Sequence, residues 1–208
     1  MGVDDFFLES HWSTSWKNRR CGCTSLSETM RNLLLAVAQH GGFMGYRNKT
    51  YVAFASEDIS KYRLMEAWKA NEHIDFDFYD AHDLCISRDT SKPETIKRNL
   101  RERMKSAKQV VLLGSKDGKR KGSDGASFLA HEIEVIIEFN LPVVVANLDG
   151  DRVVVRNYIP DPLLDANYYT VSVSFQPKII MHALENFAAN DKKGPHQYPA
   201  KVYSDLGL

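Results

Sequence analysis

Five short β-rich runs recur along this chain, at Tyr51 to Ala55, Phe76 to Tyr79, Val110 to Gly114, Pro142 to Leu148 and Tyr168 to Phe175, and helical segments separate most of them. Strands that alternate with helices pair in parallel through right-handed crossovers, which places helices on both faces of one sheet. The expected fold is α/β: a flavodoxin-like three-layer sandwich around a five-stranded, mostly parallel sheet of order 2-1-3-4-5. Helices are expected at about 60–71, from Ser91-Lys92-Pro93-Glu94 with the apolar seam Ile96, Leu100, Met104 and Ala107, from Ala126 to Phe139, and from Pro177 to about Ala189. The stretch 150–167, with Pro160 and Pro162, does not read as a clean helix.

Residues 1–48 differ from this pattern and are expected to form an N-terminal extension with one amphipathic helix. Ser25-Leu26-Ser27-Glu28 offers a capping box, Met30, Leu33, Leu34 and Val37 follow at helical spacing, and Gly41-Gly42 ends the run. The main domain is assigned to 49–190, and 191–208 read as a polar C-terminal tail without an element. The 27 basic residues balance 27 acidic ones, so no global field draws the chain to nucleic acid. No run of 18 apolar residues exists, and the acidic, aromatic start fits neither a signal peptide nor a membrane anchor, so a cytoplasmic protein without membrane or nucleic-acid partners is expected. Three cysteines are too few and odd in number for a disulfide framework.

One residue breaks the amphipathic pattern. At about 100° per residue, Phe128, Leu129, Ile133, Val135, Ile136, Ile137 and Phe139 form one broad apolar arc, and Glu132 falls inside it, while His131, Glu134 and Glu138 fall opposite. A carboxylate among apolar groups is disfavoured in its charged form, and such groups cluster at functional sites. Pairing with a cation or a place at the edge of the stripe accounts for the pattern equally well.

Open parallel sheets bind ligands beyond the carboxyl ends of their strands, where the strand order reverses. In the expected order that point lies between strands one and three, where Phe54-Ala55-Ser56-Glu57-Asp58 and Leu113-Gly114-Ser115 end. Glu132 begins the helix after strand three, on the same edge, so topology places it near Ser56 and Asp58. Other chemistries fail on spacing. Gly114 to Gly122 departs from a phosphate loop and carries Arg120 where Ser or Thr binds magnesium. No G-x-G-x-x-G follows a strand, Gly114-Ser115 stand where a receiver domain needs Asp, and the scattered histidines form no metal motif. The basic residues Lys116, Lys119, Arg120 and Lys121 read as a solvated, mobile loop.

Two segments carry a family resemblance. Tyr51-Val52-Ala53-Phe54-Ala55-Ser56-Glu57-Asp58 resembles the first strand and turn of TIR domains, and Ser127-Phe128-Leu129-Ala130-His131-Glu132-Ile133 is similar to their S-x-W-x-x-x-E-[LI] segment, with Phe128 in place of Trp. The stretches Ile96 to Ser115 and Pro142 to Leu148 look like bacterial TIR-like proteins that include the Thoeris antiphage sensors. The resemblance covers about 49–190 and implies cleavage of the N-glycosidic bond of NAD, which releases nicotinamide and forms an ADP-ribose-type signal in prokaryotic antiphage defence. It implies Glu132 as catalytic residue, Ser56, Asp58 and Ser115 as substrate-binding groups, Phe54 and Phe128 as a dry wall, and a covering loop from Asp80 to Pro93 containing Arg88. NAD would be substrate, with no resident cofactor or metal, and partners would be a second copy of the chain and a downstream effector reached through the nucleotide signal. Two alternatives stand beside it: a non-catalytic TIR-like interaction module, and a nucleoside deoxyribosyltransferase-like enzyme, whose fold also sets a Glu near a ribose.

Overall fold

The computed structural model describes residues 49–74, 76, 79–80, 92–186 and 193–208, all within the unit Gly45–Leu208. The expected helix after Ser25 and most of the loop from Asp80 to Pro93, Arg88 included, lie outside the described residues.

The strands are β1 (Lys49–Ala53), β2 (Tyr79–Asp80), β3 (Gln109–Gly114), β4 (Val143–Asn147), β5 (Thr170–Ser174) and β6 (Pro195–Gln197). They form one sheet in the order β2-β1-β3-β4-β5-β6, and every pairing is parallel. The fold is α/β as expected, but the sheet is not the five-stranded 2-1-3-4-5 arrangement alone, because β6 extends it at the far edge. Continuous apolar runs mark the central strands: Gln-Val-Val-Leu-Leu-Gly in β3 and Val-Val-Val-Ala-Asn in β4 are buried throughout, as strands covered on both faces must be.

Alternation along the strands sorts the core into two clusters. On one face, Val52, Val111, Leu113, Val144, Ala146 and Val173 pack with Tyr62 and Met65 of α1 (Ile59–Ala70) and with Ile179, Ile180 and Leu184 of α6 (Pro177–Asn186). On the other, Tyr51, Ala53, Val110, Leu112, Val143 and Val145 pack with Leu100 and Met104 of α2 (Pro93–Met104), with Leu129, Ile133 and Ile136 of α4 (Phe128–Glu138), and with Leu163 of α5 (Asp161–Asp165). The helix expected over the Ser91 capping box begins with Lys92 as N-cap and Pro93 in the first turn, where a missing N–H costs nothing. The stretch 150–167, without a clean helix in sequence, holds a 3-10 turn (Arg156–Tyr158) and the short α5.

Helix α4 is tightly bounded. Ser127 Oγ accepts from Ala130 N at 3.1 Å and donates to the Lys121 carbonyl, while Asp124 accepts from the N–H groups of Ala126 and Ser127. At the other end Asn140 turns left-handed, with φ of 51°, and Leu141 N bonds Ile136 O, which closes the helix in a Schellman-type arrangement.

Two sequence expectations are corrected. The basic segment 116–121 is not a loop but α3 (Lys116–Gly122), pinned by ion pairs of Lys119 with Asp161 and of Arg120 with Asp117 and Glu57. Residues 191–208 are not devoid of structure, since they supply β6 and α7 (Ala200–Asp205). Tyr203 of α7 is fully buried, its hydroxyl accepts from Ser174 N at 3.2 Å, and Arg152 lies 4.6 Å over its ring. Gln197 Oε1 accepts from Val154 N at 2.8 Å. Polar residues dominate this segment, so its single buried aromatic was hidden in composition.

Replacing Tyr203 by Ala removes a buried aromatic and should cost about 3–5 kcal/mol, whereas Tyr203→Phe, which loses only the hydroxyl, should cost about 1 kcal/mol. Urea unfolding of the two variants distinguishes a docked C-terminus from a dispensable tail, for which both changes would be neutral.

Candidate functional site

Glu132 is the fifth residue of α4, on the face that meets β1 and β3, and it is 5% exposed. Its Oε1 accepts a hydrogen bond of 2.7 Å from the hydroxyl of Tyr51, itself fully buried in β1. Among the described residues no cation pairs with it. Burial pushes the Glu132 carboxyl up to about 8, and the Tyr51 hydrogen bond opposes that shift without cancelling it. At neutral pH the group is mainly a neutral acid, poised near the pH at which a carboxyl can serve as either acid or carboxylate. The salt-bridge explanation of its position is excluded for the described residues. The polar partners on the same helix point away as the wheel required: Glu138 forms a bidentate pair with Arg101 of α2, and His131 Nδ1 lies 3.6 Å from Glu134.

Tyr51 is the residue that sequence reasoning passed over. It was read only as the start of a strand. The signal was present, because alternation puts Tyr51 and Ala53 on one face, and a phenol in a buried strand needs a partner for its O–H.

At the carboxyl edge of the sheet, a second polar pair joins β1 to β3. Ser115 Oγ donates to Asp58 Oδ2 at 2.6 Å and accepts from Gly118 N at 2.8 Å, so one hydroxyl caps α3 and fixes the turn after β1. Burial raises the Asp58 carboxyl above its ordinary range, and the Ser115 hydrogen bond partly offsets this. The topological expectation that these two strand ends meet is thus realised for Asp58 and Ser115. Ser56 is exposed and donates to its neighbour Glu57, which in turn meets Arg120 at 3.0 Å. None of these groups hydrogen-bonds Glu132, whose partner is Tyr51.

The two aromatic residues separate. Phe54 stacks on Tyr62, with ring centroids 4.8 Å apart, and packs with the cluster on the sheet face opposite to Tyr51, so it does not form a common wall with Glu132. The cause is the period of a strand: residues 51 and 54 have opposite parity. Phe128 opens α4 and is 43% exposed, outside the core in which the helical wheel had placed it. The wheel assigns a direction around the axis but not a depth: Leu129 and Ala130 of the same turn are buried, whereas Phe128, the first residue of α4, is not.

Two measurements test this geometry. Ser115→Ala removes a helix cap and the donor to a half-buried carboxylate, and should destabilise the fold by about 1–2 kcal/mol in denaturant titration. For Glu132, a folded value near 8 against the ordinary 4.5 means that the unfolded chain releases a proton that the folded chain retains between those pH values. Wild-type stability therefore falls as pH rises from about 4.5 to about 8, and Glu132→Gln removes that loss. The stability difference should move in favour of the Gln variant by up to about 1.4 kcal/mol per pH unit across the window, and stay level above it.

Residues 51–153, from β1 through the loop after β4, match the family described as Thoeris protein ThsB, TIR-like domain. A comparison with curated proteins gave no match. No helix among the described residues is long and apolar enough to cross a membrane. The matched segment contains Tyr51, Asp58, Ser115 and Glu132, and with the parallel α/β sheet it identifies the chain as a member of the TIR-like family of antiphage defence.

Proposed function

We propose that this TIR-like protein cleaves the bond between nicotinamide and ribose in NAD, with Glu132 as the catalytic residue. The observation that carries the reading is a carboxyl group 5% exposed, without a cation partner among the described residues, hydrogen-bonded through one oxygen to Tyr51. In the reaction the C1′–N bond breaks, and nicotinamide leaves with the bonding electron pair, which neutralises its ring. The ribose is left as an oxocarbenium-like centre that water attacks with loss of a proton, or that a nitrogen of the same molecule's adenine attacks in a cyclisation. A carboxylate in a low-dielectric wall stabilises the positive charge as it develops, or orients the ribose hydroxyls. Ser56, Asp58 and Ser115 at the sheet edge, with exposed Phe128, are the proposed substrate contacts; Phe54 keeps a place only in the packing beneath them. Self-assembly in the cytoplasm and a nucleotide signal to an effector complete the proposal.

A non-catalytic interaction module is the second reading, and the observation that favours it is the depth of Glu132: a side chain so covered also serves as a polar tie between α4 and β1. Chromatography of NAD incubated with concentrated full-length protein, with and without a lysate carrying the trigger, separates the two. On the enzymatic reading wild type releases nicotinamide, Glu132→Gln lowers the rate on the order of 10²-fold, and the rate rises with pH through about 8 as Glu132 ionises. Absence of nicotinamide under every condition favours the module, and equal rates for both proteins move the centre away from Glu132.

A further inference from the structure

Buried carboxyl groups are held in a usable form by the hydrogen bonds given to them, and in this chain that donor comes from the strand beneath the helix. The Tyr51 phenol lies 2.7 Å from Glu132 Oε1, and among the described residues Oε2 has no hydrogen-bond partner. An O–H directed at a carboxylate is charge-assisted and stronger than the same contact to a neutral acid, so it favours ionisation. Among the described residues no other group supplies that help. Arg101 of α2 is paired with Glu138, Lys119 of α3 with Asp161 at the start of α5, and Lys121 faces Glu57. On α4 itself His131 faces Glu134, and the Tyr168 hydroxyl ahead of β5 donates to the carbonyls of Ile136 and Leu141.

We propose that Tyr51 is a positioning residue for Glu132: its hydroxyl clamps Oε1, leaves Oε2 for the ribose of the substrate, and sustains the ionised carboxylate inside an apolar wall. The functional half of this proposal rests on the NAD-cleavage reading, whereas the coupling of the two side chains rests on geometry alone. A structural role in packing would be preserved in Tyr51→Phe, which keeps the ring and removes only the oxygen.

The test is a carbon-13 NMR titration of the full-length protein, with the Glu132 carboxyl signal identified by its loss in Glu132→Gln. In Tyr51→Phe the Glu132 midpoint should move to higher pH, corresponding to roughly a tenfold smaller ionisation constant. In wild type, the Tyr51 Cζ signal should shift with the same midpoint as Glu132, a readout that needs no variant to fold. For nicotinamide release, the pH–rate profile of Tyr51→Phe should move in the same alkaline direction, with kcat falling more than KM changes. A Glu132 midpoint unmoved by Tyr51→Phe, or a wild-type Tyr51 signal that stays flat while Glu132 titrates, overturns the proposal. Coupled titrations without any nicotinamide release overturn the NAD reading instead and support the Tyr51–Glu132 coupling.

Discussion

Burial of β3 and β4 on both faces is the constraint on which the structure rests. Their side chains alternate between two separate clusters, so every crossover helix must present an apolar face to one cluster or the other. Within the sheet the strands pair with their parallel neighbours, which locks the register Tyr51 to Val110 to Val143 to Thr170. A slip of one residue would exchange the clusters. Glu132 depends directly on that register, because it meets a phenol only while residue 51 points to the α4 face.

The site has two tiers. At the carboxyl edge, Asp58 and Ser115 tie the turns after β1 and β3 together, and Ser115 also caps α3. Beneath that edge, within the apolar layer, lies the Tyr51–Glu132 pair. Water screens the upper tier and not the lower one, so a charge that forms near Glu132 is felt strongly whereas the exposed pairs of Arg120 contribute little to stability. On the proposed reaction, in which positive charge develops at one carbon, this division would leave the upper tier only to hold the rest of the substrate.

Legibility in the sequence followed how local each determinant is. The strand runs, the helix over 128–138 and the misplaced carboxylate of Glu132 were all readable, since period and side-chain chemistry are properties of short segments. The meeting of Asp58 with Ser115 followed from strand order alone. Phe54 and Phe128 were misplaced for two distinct reasons: the strand period sends Phe54 to the opposite face, and a helical wheel gives the direction of Phe128 around the axis but not its depth at the start of α4. The C-terminal segment was missed because a three-residue edge strand and one buried tyrosine leave almost no periodic signal.

By itself the sequence determined the α/β class, the parallel sheet and the presence of a carboxylate that its helix could not expose. Only the tertiary structure decided what that carboxylate touches. A partner 81 residues away on another element is selected by strand register and helix packing, which no local pattern encodes, and it was this packing that gave Glu132 a phenol. The same reason holds for Ser115, which reads in sequence as the end of a strand and becomes, once β1 and β3 lie side by side, the cap of α3 and the donor that fixes Asp58.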